Sequence, residues 1–358
     1  MTEGPPQVAR VEPGEVSAAL VTALHTGAVA SRADVGVIAL TGPGAVTCFQ
    51  GLLTNDIELP GDGAFVYGAL LTPKGMIVAD GWAARLGATV SYTVPAVARE
   101  SALNILTRSV PPRLARLVDR TEDVVVYRLA GPSALAAAAA AGLEVSSAPS
   151  PPSPPSPPSP TAGRVILRPD GLETARATEG APFVLQVTAP AAAGDLLAAR
   201  LAAAGAVAAS PATLELARIL AGWPRLGAEI DEKTIPQEVR LDEIGGVSYT
   251  KGCYTGQETV ARLHFRGHVN RQVRGLLFDP EPPAAPAEGW SVVTHIDRDV
   301  GRVTSLAFVP DVGVAGAGRW IGLALVRREV PPGAVVRAAG RDARVVDLPF
   351  AFPIAAPA

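Results

Sequence analysis

Aromatic residues are scarce: Phe, Tyr and Trp make up 5% of the 358 residues. The core of such a chain is expected to be aliphatic. Much of its 48% hydrophobic content is alanine, which buries little area per residue. Cysteine is nearly absent, with Cys48 and Cys253 alone. Two cysteines do not make a disulfide scaffold, and the expected setting is a reducing compartment, the cytoplasm. The residues Met1 to Gln7 carry an acid and two prolines rather than a positive segment leading into an apolar run, so no secretory signal is expected. No apolar run reaches the ~18 residues of a membrane span, and the Ala-rich Ser133 to Ala141 is too short. An excess of positive charge is missing as well. A formal net charge of −3 argues against a dedicated nucleic-acid binder, so neither a direct nucleic-acid partner nor a membrane is expected.

Proline and glycine, by contrast, are plentiful, at 34 and 36 residues. The clearest boundary is a Ser-Pro-Pro repeat from Pro149 to Pro160. Consecutive prolines fix φ and remove backbone donors, so the segment reads as an extended linker inserted in a surface loop. A ligand for an SH3-like partner is the other reading. The chain then divides into an α/β part over 1–148, the linker over 149–161, a second α/β part over 162–271 and a strand-rich part over 272–358. In the first part, Asp34 to Leu40 reads as a strand. Pro43 to Leu53 reads as a helix, with Val46, Phe49 and Leu53 at helical spacing. Ala64 to Leu71 and Met76 to Trp82 read as strands around a Pro73-Lys74-Gly75 turn. Pro211 to Ala221 reads as a helix with proline in its first turn. Beyond Gln272, short strand-like runs alternate with Gly/Pro turns, the pattern of a small antiparallel barrel or sandwich.

The segment richest in chemistry is Lys251-Gly252-Cys253-Tyr254-Thr255-Gly256-Gln257-Glu258. Thr255 and Glu258 have capping-box spacing, which predicts a helix starting just after Thr255. Cys253 then lies beside the positive end of that helix, and Lys251 adds a cation. Both favour thiolate over thiol, the condition for a reactive cysteine. The alternative is that Cys253 is a small buried residue, a common fate of free cysteine. Gly252 and Gly256 let the backbone approach a ligand closely.

This octapeptide resembles the signature of the YgfZ folate-binding family, whose wider superfamily includes the aminomethyltransferase (T protein) of glycine cleavage. Phe49 to Asp56 resembles the family's early helix with its Thr-Asn-Asp end. Thr72 to Met76 resembles its Lys-Gly turn. Ile235 to Glu238 resembles the lead into the cysteine motif, Val260-Ala261-Arg262 its continuation, and Leu348-Pro349-Phe350 the closing strand. The resemblance implies an α+β fold: a T-protein-like ring of domains around a central folate cavity, with a C-terminal antiparallel β-barrel. It implies tetrahydrofolate or a one-carbon derivative as cofactor. It also implies a role in iron–sulfur cluster assembly or repair, with iron–sulfur enzymes or assembly proteins as partners. The family's cysteine and lysine map onto Cys253 and Lys251, with Gly252, Tyr254, Gly256, Gln257 and Glu258 completing the motif. The thiol would attack a one-carbon adduct, or hold iron briefly together with a partner protein, since one cysteine is too few ligands for a cluster.

From the shape of a folate, Asn55, Asp56 and Gln257 are candidates for the pterin edge. Tyr67, Trp223 or Tyr254 are candidates for stacking. Arg262, Arg266, Arg271 and Arg274 could hold the tail carboxylates, unless they form a solvated rim. One departure matters. Where aminomethyltransferases carry an acid in the segment resembling Arg218 to Gly222, this chain has Leu220, which puts glycine-cleavage activity in doubt. Asp80 falls where those enzymes keep acids after the turn, but an exposed hairpin acid is the plainer reading. A tetrahydrofolate-dependent aminomethyltransferase and a folate-dependent factor affecting tRNA modification remain the rival functions. His264 and His268 are four apart but lack a third ligand nearby in sequence, so no metal is assigned. The Gly313 to Gly318 run reads as a turn in the barrel rather than a nucleotide loop.

Overall fold

The computed structural model describes residues 8–143, 163–278, 283–284, 291–311 and 317–351. The Ser-Pro-Pro segment and most of the Gly313 to Gly318 run lie outside the described residues. The strands in chain order are β1 (Ala9–Val11), β2 (Val29–Arg32), β3 (Val35–Thr41), β4 (Ala64–Leu71), β5 (Ile77–Leu86), β6 (Thr89–Pro95), β7 (Arg116–Asp119), β8 (Val124–Ala130) and β9 (Gly163–Leu167), followed by β10 (Glu173–Arg176), β11 (Leu185–Pro190), β12 (Val207–Ala208), β13 (Arg271–Phe278), β14 (Ser291–His295), β15 (Arg298–Pro310), β16 (Gly318–Arg327), β17 (Val335–Ala338) and β18 (Arg341–Val346). The helices are α1 (Ala18–Thr26), α2 (Ala45–Gln50), α3 (Arg99–Ser109), α4 (Ala134–Ala140), α5 (Gly194–Ala203), α6 (Pro211–Ala221) and α7 (Gln257–Arg266).

Many strands pair with partners distant in chain order, and the topology explains why a cavity forms. One eleven-stranded sheet runs β12-β2-β8-β11-β10-β9-β4-β5-β6-β3-β7. Strands β2 and β3 stand near opposite ends of that order, yet only Ala33 and Asp34 separate them in the chain. So short a connection spans only about 7–10 Å. The sheet must therefore curl until its ends approach. Val37 of β3 packs against Val124 and Val126 of β8, which brings the two ends together. The sheet takes strands from both sides of the Ser-Pro-Pro segment.

The C-terminal strands form a second sheet, β15-β14-β17-β18-β13-β16, closed by antiparallel pairing of β15 with β16. Its interior is packed with Leu276, Phe278, Val303, Leu306, Trp320 and their neighbours, so this barrel is a core rather than a pore. The N-terminal β1 adds to it in parallel beside β15, with Ala9 opposite Ser305. The architecture is the expected α+β arrangement, a curled sheet around a central cavity with an antiparallel barrel after it.

A buried polar network joins barrel to ring. Glu229, 0% exposed, accepts from Arg218 Nη1 at 2.7 Å, from the Thr304 hydroxyl at 2.9 Å and from the Arg225 amide at 3.2 Å. Arg218 also donates to both oxygens of Glu215, at 3.0 and 2.8 Å, and to the Ser305 hydroxyl at 2.8 Å. The fork of one arginine thus ties α6 to the segment after it and to β15. A buried charge satisfied this fully is tolerated, whereas breaking such a pair typically costs about 3–5 kcal/mol.

Candidate functional site

The concave side of the curled sheet encloses a cavity of about 440 Å³. Its walls come from distant parts of the chain: Tyr67 on β4, Asp80 and Trp82 on β5, Arg128 on β8, Phe183 before β11, and Trp223 just after α6. The apolar part is an aromatic cluster. Trp82 and Trp223 stack with centroids 5.9 Å apart, and Tyr67 packs against both, 5.5 and 4.9 Å away. Phe183 meets Trp82 edge-on at 5.1 Å. Helix α6 ends at Gly222 in the left-handed region, φ 64°, and this turn delivers Trp223 to the cavity. Each such aromatic pair contributes roughly 0.5–1.5 kcal/mol beyond area burial. A chain with so few aromatics has placed four of them around one space.

Beside the aromatic cluster the wall carries the Asp80 carboxylate, the Arg128 guanidinium and the Trp223 indole N–H, and Arg10, Glu15, Asp34, Glu215, Arg218 and Arg225 also line the cavity. Asp80 is 3% exposed and is no exposed hairpin acid. It accepts from the Tyr67 hydroxyl at 2.9 Å and from the Leu226 amide at 3.1 Å. Burial raises its carboxyl above the usual range, against the lowering effect of those donors and of Arg225 and Arg218. The Tyr67 hydroxyl is raised well above its ordinary value, first by burial and then by the adjacent Asp80 charge. Arg128 donates through Nε to Gln186 Oε1 at 3.1 Å, and Gln186 in turn donates to the Thr93 hydroxyl at 3.3 Å. Its guanidinium lies over the Phe183 ring at 4.3 Å. Burial pulls it down to about 10, with Asp80 and Tyr67 opposing. Trp223 Nε1 is buried and completes no hydrogen bond, although the Tyr67 hydroxyl is close.

The cysteine motif is a second, separate place. Lys251 is 9% exposed, and its ammonium donates to the carbonyls of Gln50, Leu53 and Asn55 at 2.7, 2.7 and 2.8 Å. It therefore caps the C-terminal end of α2 and is not a free cation beside the thiol. Burial lowers it to about 8, with the charges of Asp56 and Glu58 opposing. Its ammonium also sits 5.2 Å from the ring centroid of Tyr254, a buried residue. The expected capping box does not form. Gly256 is the N-cap in the left-handed region, φ 82°, and the helix starts at Gln257. A Cβ at Gly256 would stand 2.6 Å from the Thr72 carbonyl oxygen, so the motif can pass this close to the β4–β5 turn only as glycine. Gln257 turns back to accept from the Tyr254 amide at 3.1 Å, and the Thr255 amide donates to Gly51 at 3.0 Å. Glu258 is exposed on the first turn of α7. Between these anchors, Gly252 and Cys253 form an exposed tip with a free thiol. Cys48, the other free cysteine, is half-buried in α2.

Of the residues expected at a folate, Tyr67 and Trp223 line the cavity and the others do not. Asn55 is consumed by structure: its side-chain amide donates to the Tyr67 and Gly245 carbonyls, both at 2.8 Å, and its oxygen accepts from the Asp56 amide. Asp56 accepts from Gln50 Nε2 and from the amides of Glu58 and Leu59. Arg262 and Arg266 project from α7 into solvent. Arg271 and Arg274 are paired with Glu238 and Asp347 at 3.0 and 2.6 Å, so the four arginines form no common patch at the cavity. His264 lies flat on Tyr249, with centroids 3.6 Å apart. Trp82, Arg128 and Phe183 went unnoticed in the sequence. Their only signal was that Trp and Phe are rare here, and Arg128 sits in a strand that reads as ordinary.

Comparison with known proteins bears on both places. Residues 23–148 match the family described as the GCVT N-terminal domain. The chain is 37% identical over 112 residues to the tRNA-modifying protein YgfZ of Vibrio vulnificus, a stretch covering 27% of this chain and 34% of that protein. The matched stretch thus spans about a third of that relative's length. It is 29% identical over 328 residues to the aminomethyltransferase of Rubrobacter xylanophilus, covering 88% of this chain and 81% of that one. The crystal structure of glycine cleavage system aminomethyltransferase T from Bartonella henselae superposes with a TM-score of 0.71 at 19% identity, over 93% of this chain and 89% of that one. Among the described residues no helix is long and apolar enough to cross a membrane.

Proposed function

Because the chain is a YgfZ-type protein of the superfamily that contains the glycine-cleavage aminomethyltransferases, we propose that it binds a reduced folate in the central cavity and serves iron–sulfur cluster assembly or repair through Cys253. The observation that carries the folate reading is the cavity itself. Its volume of about 440 Å³ falls in the range of small-molecule sites, and its wall combines four aromatic rings with a buried carboxylate, a guanidinium and an unpaired indole N–H. A pterin has a flat face for the rings and a hydrogen-bonding edge for the polar groups. Trp223 Nε1 is a buried donor with only the Tyr67 hydroxyl beside it, and a bound pterin would offer it a better acceptor. Tyr67 keeps Asp80 oriented, and the aromatic walls exclude water.

Cys253 does not line this cavity, so the arrangement offers no direct line from the thiol to a folate held inside. An exposed thiol on an anchored tip suits a reaction with a partner protein. When bound, tetrahydrofolate would supply one-carbon carrier chemistry. This chain's own residues bind it, orient its ring and keep it dry.

A second reading, a tetrahydrofolate-dependent aminomethyltransferase, is favoured by the Rubrobacter relative and by the fold. Leu220 speaks against it, since its side chain packs against the apolar core where those enzymes are expected to carry an acid. The YgfZ relatives are named as tRNA-modifying proteins. In this chain, with a net charge of −3, that role is read as indirect, through iron–sulfur enzymes that act on tRNA. The test is calorimetric titration of tetrahydrofolate into wild type, Cys253→Ala and Trp223→Ala, alongside turnover assays with an aminomethylated lipoyl carrier. Binding to wild type and Cys253→Ala, lost in Trp223→Ala, with no turnover, supports the proposal. Absence of binding, or robust turnover, overturns it.

A further inference from the structure

Asp80 and Arg128 are opposite charges facing one cavity, near enough that the Asp80 charge acts on Arg128, yet no hydrogen bond or ion pair joins them. In a desolvated space two such groups normally pair. Here each is held back by its own anchors. The Tyr67 hydroxyl and the Leu226 amide fix the carboxylate. Gln186, itself held by Thr93, fixes Nε of the guanidinium, and the Phe183 ring supports its plane. The remaining N–H groups of Arg128 carry no partner, and Asp80 keeps acceptor capacity beyond its two bonds. The groups are thus held on the wall of one cavity, each by its own anchors and with no direct bond between them.

We propose that Asp80 and Arg128 are the specificity-determining pair of the cavity, bridged by a ligand edge that presents a donor beside an acceptor, the lactam edge of a 4-oxopterin. This rests on the folate reading and goes further, since it says which edge is read and by what. The N3–H and 2-amino group donate to Asp80, and the 4-oxo oxygen accepts from Arg128. A 2,4-diaminopterin reverses the pattern at position 4, placing an amino group against the guanidinium. A site built around a hydrogen bond rejects an analogue that leaves its buried groups unpaired.

The experiment compares tetrahydrofolate with its 4-amino analogue, tetrahydroaminopterin, by calorimetry on wild type, Arg128→Met and Arg128→Lys. Circular dichroism checks that each variant is folded. Wild type is expected to prefer the 4-oxo ligand by at least about tenfold, the equivalent of one charge-assisted hydrogen bond. Arg128→Met should reduce that ratio to near one. Arg128→Lys, which keeps the charge but loses the planar fork, should fall between, and it carries the test if the Met variant does not fold. Tetrahydrofolate binding without discrimination in wild type, or undiminished discrimination in the folded variants, overturns this pair while leaving the folate reading intact. Failure of wild type to bind either ligand overturns both.

Discussion

Replacing Lys251 by methionine keeps much of the side chain's shape and removes its ammonium. Three carbonyls then lose their donor: Leu53 and Asn55 in buried bonds, and Gln50 in a partly buried one. A buried acceptor left unsatisfied costs about 1–3 kcal/mol, and removing the buried ammonium returns part of that through relief of its desolvation. The expected net loss at pH 7 is about 2–4 kcal/mol, read from urea unfolding followed by tryptophan fluorescence. The loss should be local as well as global. Hydrogen exchange should accelerate at the Thr54 and Thr255 amides, which donate to Ala69 and Gly51 beside the capped end. The pH dependence gives a sharper test. Burial lowers Lys251 from 10.5 to about 8 in the folded protein, so the unfolded chain holds more protons between those values. Wild-type stability therefore rises with pH across that window, and the gap between wild type and Lys251→Met should widen by up to roughly 3 kcal/mol. A loss below 1 kcal/mol, with unchanged exchange at Thr54 and Thr255, would refute the clamp. A gap that narrows with pH would mean the three carbonyls hold the charge more strongly than burial opposes it.

The other expectations concern single sites. Gly256→Ala should destabilise by more than about 2 kcal/mol in thermal or urea unfolding, because φ is 82° and the new Cβ would stand 2.6 Å from the Thr72 oxygen. Gly252→Ala, with nothing within 4 Å of the added atom, should stay within about 0.5 kcal/mol of wild type. Glu229→Ala should cost about 3–5 kcal/mol by leaving Arg218 under-satisfied in the interior, and a loss under 1 kcal/mol would show that the network does not hold barrel to ring. The raised Asp80 carboxyl adds stability at low pH that fades as the pH rises through its folded value, so Asp80→Asn should raise the melting temperature at pH 7 while weakening tetrahydrofolate binding. In native protein, iodoacetamide should modify the exposed Cys253 well before the half-buried Cys48, as mass spectrometry of tryptic peptides would report.

Local pattern alone carried much of this protein. Two largely apolar runs around a Pro-Lys-Gly turn placed the β4–β5 hairpin, and proline in the first turn placed α6 at Pro211 to Ala221. The strand-rich spacing after Gln272 indicated the barrel. The unusual KGCYTGQE run pointed to the segment around Cys253. What local pattern lacked were contacts between distant residues. Strand β1 has three residues and exists because it adds to β15 nearly three hundred positions away. Strand β2 is four residues and borrows its order from β8. Helix α2 stops at Gln50 rather than Leu53 because the turn beyond it is bonded to Lys251, from two hundred residues on. The same distance decided the site. A lysine next to a cysteine in sequence reads as its activator, but the fold spends that ammonium on backbone carbonyls. A hairpin acid reads as exposed, but the curl of the sheet turns Asp80 inward to face Arg128, a residue of another strand. Sequence proximity sets which groups are available. Only closure of the sheet, enforced by the short β2–β3 connection, determines which of them share a desolvated space and so can act on one ligand.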